Sequence, residues 1–114
     1  MKKVCALQAE MERLPKGDKT PMKKLTFEQR TLVHLARAVY RVADLYLLDD
    51  FLGNLNENLQ QKILDHCVCD FLRGKTRIVV TKNLDVLREV DSALVLERVR
   101  RKLIELKSDL FVTY

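Results

Sequence analysis

Apolar residues along this chain recur with two different periods, and the changes of period divide it into elements. Val4, Leu7, Met11 and Leu14 are spaced three and four apart, one face of a helix that Pro15 ends. The polar stretch from Lys16 to Lys24, with Gly17 and the prolines at 15 and 21 as punctuation, reads as a loop. Thr26 precedes Gln29 by three residues, the spacing of a capping box, and Glu28 sits in the first turn, where the helix dipole favours negative charge. Leu32, Leu35, Ala36, Val39 and Tyr40 then share one apolar face, which predicts a helix from Phe27 to Arg41.

The pattern next contracts to short apolar runs. Leu45–Leu48 is continuous and ends in Asp49-Asp50, as expected of a strand buried on both faces of a parallel sheet. Leu59, Ile63, Cys67 and Phe71 recur every fourth residue, flanked by Leu64, Val68 and Leu72, and predict a second long helix that stops near Gly74. Arg77–Val80 reads as a strand, Leu84, Val86 and Leu87 as a short helix, and Ala93–Leu96 as a third strand. Val99, Leu103, Leu106 and Leu110 return to helical spacing. Strands alternating with helices imply an α/β fold: a small three-layer parallel sheet of about three strands with flanking helices and right-handed crossovers.

Composition narrows the class. The chain has 114 residues, of which 47% are hydrophobic and 32% charged, enough for one small domain with a core. No apolar run approaches the roughly 18 residues of a membrane span. The opening residues are not a signal peptide, because Gln8, Glu10 and Glu12 interrupt the apolar ones. The net charge of +5 is scattered, with one dense run at Arg98, Arg100, Arg101 and Lys102, and no aromatic interleaving or recognised motif accompanies it. A solvated face is the expectation, and nucleic acid is not an expected partner. The three cysteines, Cys5, Cys67 and Cys69, suit a reducing compartment and free thiols. His66, Cys67 and Cys69 cluster in sequence, but Cys-x-Cys in a helix points its thiols to different faces, so zinc is not expected.

The residues with chemical potential stand where the first strand ends. The carboxyl ends of parallel strands form the ligand-binding edge of an α/β sheet. There Asp49 is placed to hold Mg²⁺ through water, and Asp50 to orient or deprotonate an attacking water. The plain alternative is that both aspartates cap the following turn.

The surrounding residues add a resemblance. Leu35-Ala36-Arg37-Ala38-Val39-Tyr40, then Ala43-Asp44-Leu45-Tyr46-Leu47-Leu48-Asp49-Asp50, closely resembles the segment joining the signature helix to the Walker B strand in ABC-transporter nucleotide-binding domains. The flavour is that of the C class, the multidrug-resistance-protein group. Cys5-Ala6-Leu7, Leu14-Pro15 and Gly17-Asp18-Lys19-Thr20 resemble the region before the signature. Phe71 to Thr81 resembles the strand leading to the switch histidine, and Val90-Asp91 and Val95-Leu96-Glu97 continue the match. The resemblance implies a P-loop NTPase half-domain of the ABC ATPase type. It implies a single partial domain over 1–114: 1–44 as helical subdomain and signature helix, 45–97 as Walker B to switch-strand core, and 98–114 as a divergent helical tail. Asp49 becomes the Walker B ligand of Mg²⁺ and Asp50 the general-base position. Mg-ATP is the family's cofactor, and its work is ATP-driven export across a membrane.

The departures matter as much. The family's P-loop lies upstream of the matched segment, and no Gly-rich loop followed by Lys and Ser or Thr occurs in this sequence. The signature, normally Leu-Ser-Gly-Gly-Gln, reads Leu25-Thr26-Phe27-Glu28-Gln29, so Thr26 and Gln29 are what remains of a nucleotide-binding motif. Phe27 adds bulk where close backbone approach is needed, and Glu28 adds negative charge toward a polyanion. At ~4 Å and an effective dielectric near 20, each such like-charge pair costs roughly 4 kcal/mol before screening. Lys82 replaces the switch histidine; it attracts phosphate but accepts no hydrogen bond. Asp50 is one methylene shorter than the usual Glu, and Asn56 stands for the D-loop aspartate.

The resemblance and its departures together imply a truncated, degenerate nucleotide-binding domain that does not hydrolyse ATP by itself and binds Mg-ATP weakly or not at all. The alternatives are a non-catalytic interaction or regulatory module, or a split half that needs a P-loop-bearing partner chain. The family implies a second nucleotide-binding domain or a transporter transmembrane domain as partner, and a cytoplasmic location, at the membrane face through such a transporter. In the family the P-loop strand separates the strand matching Ile78–Val80 from the one matching Leu94–Leu96. The simplest closure without it pairs these two directly, with the helical tail covering part of one exposed face.

Overall fold

A computed structural model describes residues 4–96, 101–105 and 110–113. Helix α1 spans Leu7–Glu12 and α2 spans Phe27–Tyr40. Strand β1 (Leu45–Asp49) follows, then α3, which begins at Glu57–Ile63 and continues with wider turns over Leu64–Phe71. After β2 (Thr76–Val80) a short 3₁₀ turn covers Leu84–Glu89, and β3 (Ser92–Leu96), β4 (Arg101–Glu105) and β5 (Leu110–Thr113) complete the described chain. The fold is α/β.

Local chemistry explains the helices. Thr26 Oγ1 accepts from the Gln29 amide at 3.2 Å, and Gln29 Oε1 accepts from the Thr26 amide at 3.0 Å, a complete capping box. Leu32, Leu35 and Val39 are buried, as the spacing predicts, whereas Tyr40 is 74% exposed and lies off the covered face. In α3 the Leu72 amide donates to Cys67 O at 3.0 Å, five residues back. That wider turn rotates the face, so Leu72 is buried and Phe71 is exposed. Helix α1 is shorter than its spacing predicts: Ala6 takes a left-handed conformation (φ 53°) and starts it without a side-chain cap.

The sheet has five strands in the order β1-β2-β5-β3-β4. β1–β2, β2–β5 and β5–β3 are parallel, and β3–β4 is antiparallel. Two expectations are corrected here. The helical spacing after Val99 does not make a helix at 101–105 or 110–113; Val99 and Leu106 lie outside the described residues, as do Glu97, Arg98 and Arg100. Nor does β3 pair with β2, because β5 lies between them, with Phe111 opposite both Ile78 and Ser92. The physical reason is shared. Two parallel strands facing an open slot leave a ladder of amides and carbonyls unpaired, and Leu110-Phe111-Val112-Thr113, rich in residues that fit a pleated surface, satisfies both sides.

A third correction concerns burial. In β1, Tyr46 and Leu48 are buried while Leu45 and Leu47 are 49% and 68% exposed. In β2, Arg77 and Val79 are buried and Val80 is exposed. The helices cover one face of these strands, and a single core joins Leu32, Leu35 and Val39 of α2 to Ile63, Cys67 and Val68 of α3 and to Tyr46, Leu48 and Val79 of the sheet. A run of four apolar residues does not reveal that alternate side chains remain open. Arg77 enters the covered face and donates from its guanidinium to Val68 O, satisfying a carbonyl within the wide turns of α3.

Candidate functional site

The parallel register of β1 and β2 brings two sequence-predicted groups to one edge. Asp49 ends β1 opposite Val80, the last residue of β2, and the Asp50 amide donates to Val80 O at 2.8 Å. Thr81 and Lys82 continue from Val80, so Asp49, Asp50 and Lys82 share the carboxyl edge of the sheet, all exposed. Asp50 is held in a left-handed conformation (φ 39°), unusual for a residue with a side chain. Its carboxylate folds over the next turn: a Cβ on Gly53 would stand 3.1 Å from Asp50 Oδ1, so glycine there accommodates the aspartate. Thr81 Oγ1 accepts from the Asn83 amide at 3.0 Å, and Asn83 Nδ2 donates to Gln60 Oε1 at 2.9 Å, fixing the chain that carries Lys82 to α3.

The second group is the start of α2. Thr26 and Gln29 are engaged in capping, and Gln29 Nε2 also donates to Glu10 Oε2 at 3.2 Å, tying α2 to α1. Phe27 is 61% exposed at the helix tip. Glu28 turns sideways: its Oε1 accepts from the Asn56 amide at 2.8 Å and from Asn56 Nδ2 at 2.9 Å. Asn56 in turn caps α3, accepting from the Leu59 amide at 3.0 Å. The segment from Asp50 to Asn56, anchored by buried Leu52 and Leu55, therefore runs from the sheet edge to the tip of α2. The sequence marks Glu28 and Asn56 separately as departures from a pattern. Their pairing is the feature that reading misses, and its signal is that a carboxylate appears at one position where an amide replaces a carboxylate at the other.

A Mg²⁺ ion demands about six oxygen ligands in near-octahedral geometry. Among the described residues no group of three or more His, Cys, Asp or Glu side chains converges, so Asp49 and Asp50 supply only part of such a shell. A cleft of about 580 Å³ lies elsewhere, bounded by Glu10, Arg13, Asn56, Lys62 and His66, and includes none of Asp49, Asp50 or Lys82. No helix among the described residues is long and apolar enough to cross a membrane.

No family model matches the chain. It is 43% identical over 98 residues to the cystic fibrosis transmembrane conductance regulator of Danio rerio. It is 35% identical over 98 residues to the oligomycin resistance ATP-dependent permease YOR1 of Saccharomyces cerevisiae. Each match covers 82% of this chain and 7% of the relative, so the chain spans a small part of the proteins it resembles. This similarity supports derivation from a region of an ABC transporter.

Proposed function

We propose that this chain is a degenerate nucleotide-binding region of ABC type that keeps the scaffold and has lost ATP hydrolysis as an independent activity. The relatives' names include an ATP-dependent permease, so transport driven by ATP is the ancestral work on this reading. The observation that carries the reading is the tip of α2. Glu28 is bonded to Asn56, and Thr26 and Gln29 are engaged in capping and in holding Glu10. The residues corresponding to the signature thus stabilise helix starts instead of presenting bare backbone amides to a phosphate. On this reading Asp49, Asp50 and Lys82, at the sheet edge, correspond to a Walker B carboxylate, a shortened base and a cation in place of the switch histidine. The region acts in the cytoplasm.

Calorimetric titration with ATP and Mg²⁺ tests this directly. Binding tighter than millimolar is not expected, nor phosphate release above the blank rate. A micromolar constant, or Mg²⁺-dependent turnover abolished by Asp49→Asn, overturns it.

The open face of β1 and β2 favours a second reading, a half that docks onto a P-loop-bearing chain. Leu45, Leu47 and Val80 are exposed on the side away from the helices. Apolar strand faces of this kind are normally covered in α/β sheets. Sedimentation velocity of the chain mixed with a purified P-loop-bearing segment distinguishes the two readings, since only the second expects a 1:1 complex.

A further inference from the structure

Helix α2 carries two apolar stripes. Leu32, Leu35 and Val39 face the core, and Val33, Ala36 and Tyr40, at i, i+3 and i+7, form a second stripe beside it. Helix α1 packs against α2 but has only six residues, and the second stripe is left as one wall of a groove. Met11 of α1 and Met22 of the connecting loop complete its walls. The groove has a volume of about 370 Å³ and includes none of Asp49, Asp50 or Lys82. We propose that it binds a small amphipathic anion, an alkyl chain of about ten carbons ending in a carboxylate.

The walls argue for the chain. Met11, Val33 and Ala36 are half-buried, whereas Met22 and Tyr40 are 39% and 74% exposed, so apolar side chains line the groove out to its rim. Two methionines suit a flexible occupant, because thioether side chains repack around irregular shapes. The size argues for a small molecule over a protein. The groove falls within the volume range of ligand pockets, whereas a specific protein interface covers about 800 Å² of each partner.

The polar groups argue for the carboxylate. Glu10 lines the groove, but its Oε1 accepts from Arg13 at 3.0 Å and its Oε2 from Gln29 at 3.2 Å, so its charge is already answered. Asp18 likewise has a partner. Arg37 lines the groove and is exposed, and its guanidinium has no hydrogen bond or ion pair among the described residues. Exposed Lys19 and Lys23 adjoin the lining residues Asp18 and Met22 in sequence. The charge left over at the rim is positive, and a guanidinium takes a carboxylate through two parallel hydrogen bonds. Thr20, also in the lining, has a buried Oγ1 without a partner. A buried hydroxyl in that state is costly, and a turn about χ1 lets it donate to an oxygen brought into the groove. A cationic or uncharged amphiphile would leave Arg37 unanswered. The assignment is independent of whether the sheet edge binds nucleotide.

The test titrates the full chain, isotope-labelled at its methionine methyls, with decanoate and with decan-1-ol. Decanoate should shift the Met11 and Met22 signals saturably, with a Kd of about 100 µM or tighter, and should raise the melting temperature. Arg37 lies on the surface, and Arg37→Gln should weaken decanoate about fivefold while leaving decan-1-ol unchanged. Ala36→Phe fills the groove and should abolish binding of both probes; where it fails to fold, Arg37→Gln decides alone. The proposal is overturned if decanoate gives no saturable shift at millimolar concentration, or if Arg37→Gln weakens both probes equally or neither. Binding to phosphatidylserine vesicles without binding of free decanoate overturns it as well.

Discussion

One oxygen of the Glu28 carboxylate accepts two hydrogen bonds from Asn56, from its backbone amide at 2.8 Å and its side-chain amide at 2.9 Å. The start of α2 and the start of α3 are thereby joined, and two positions 28 residues apart in sequence become one unit. The join depends on complementary chemistry, an acceptor-only carboxylate facing an amide donor.

Replacing that donor tests the join. Asn56→Asp still caps α3 but sets a second carboxylate against the first and loses the side-chain bond. A loss of about 1–2 kcal/mol is expected in urea unfolding. Adding Glu28→Gln supplies a donor and should recover part of the loss, with a coupling energy of about 0.5–1 kcal/mol. Strictly additive costs would mean that the two side chains do not interact.

Asp50 provides a prediction of opposite sign. Its left-handed backbone disfavours a side chain, and glycine adopts that conformation freely. Asp50→Gly is expected to raise stability by about 0.5–1 kcal/mol while removing the general-base candidate. Lowered stability would show that the Asp50 carboxylate contributes more to its turn than its backbone conformation costs. Asp50→Glu lengthens that side chain by one methylene and should still give no ATP turnover.

The capping residues of α2 separate structural from ligand-binding roles. Gln29→Ala removes the reciprocal cap and the bond to Glu10, and should cost about 1 kcal/mol, roughly 4 °C in melting temperature for a chain of this size. Thr26→Ser keeps the accepting hydroxyl and should melt near the wild type. If either variant changes nucleotide binding without changing the melting temperature, these residues serve a ligand and not the helix.

What the sequence discloses follows from how local each signal is. The capping box at Thr26 and Gln29 and the apolar runs of β1, β2 and β3 are decided within a few residues, and the structure places them within about a residue of expectation. The candidate edge was legible for the same reason, since Asp49 ends β1 and Lys82 lies two residues past the end of β2, strands that pair in register. What was not legible depends on distant partners. The open face of Leu45 and Leu47 is hidden in a run that is apolar throughout. The turn at Asp50 depends on Gly53, and the orientation of Glu28 depends on Asn56. The spacing of Leu103 and Leu110 imitates a helix, and only the unpaired edges of β2 and β3 reveal the strands.

Strand β5 carries the largest consequence. It is four residues long, yet it pairs with β2 on one side and β3 on the other, so among the described strands it is the one that links the β1–β2 pair to the β3–β4 pair. Removing residues 106–114 should reopen the slot, leaving parallel edges on β2 and β3 with unpaired backbone groups. The expected outcome is a lower urea midpoint, loss of a single cooperative transition, and concentration-dependent association in sedimentation velocity. Truncation also removes apolar surface, so a point variant is needed to isolate the ladder. Val112→Pro keeps the chain length but deletes one amide donor and distorts the centre of a strand paired on both sides, which should cost about 3 kcal/mol or more. Val112→Thr keeps the β-branched shape and the amide and should cost clearly less. If the proline variant and the truncation both unfold at the wild-type midpoint, β5 does not close this sheet, and the gap between β2 and β3 belongs to a strand from another chain.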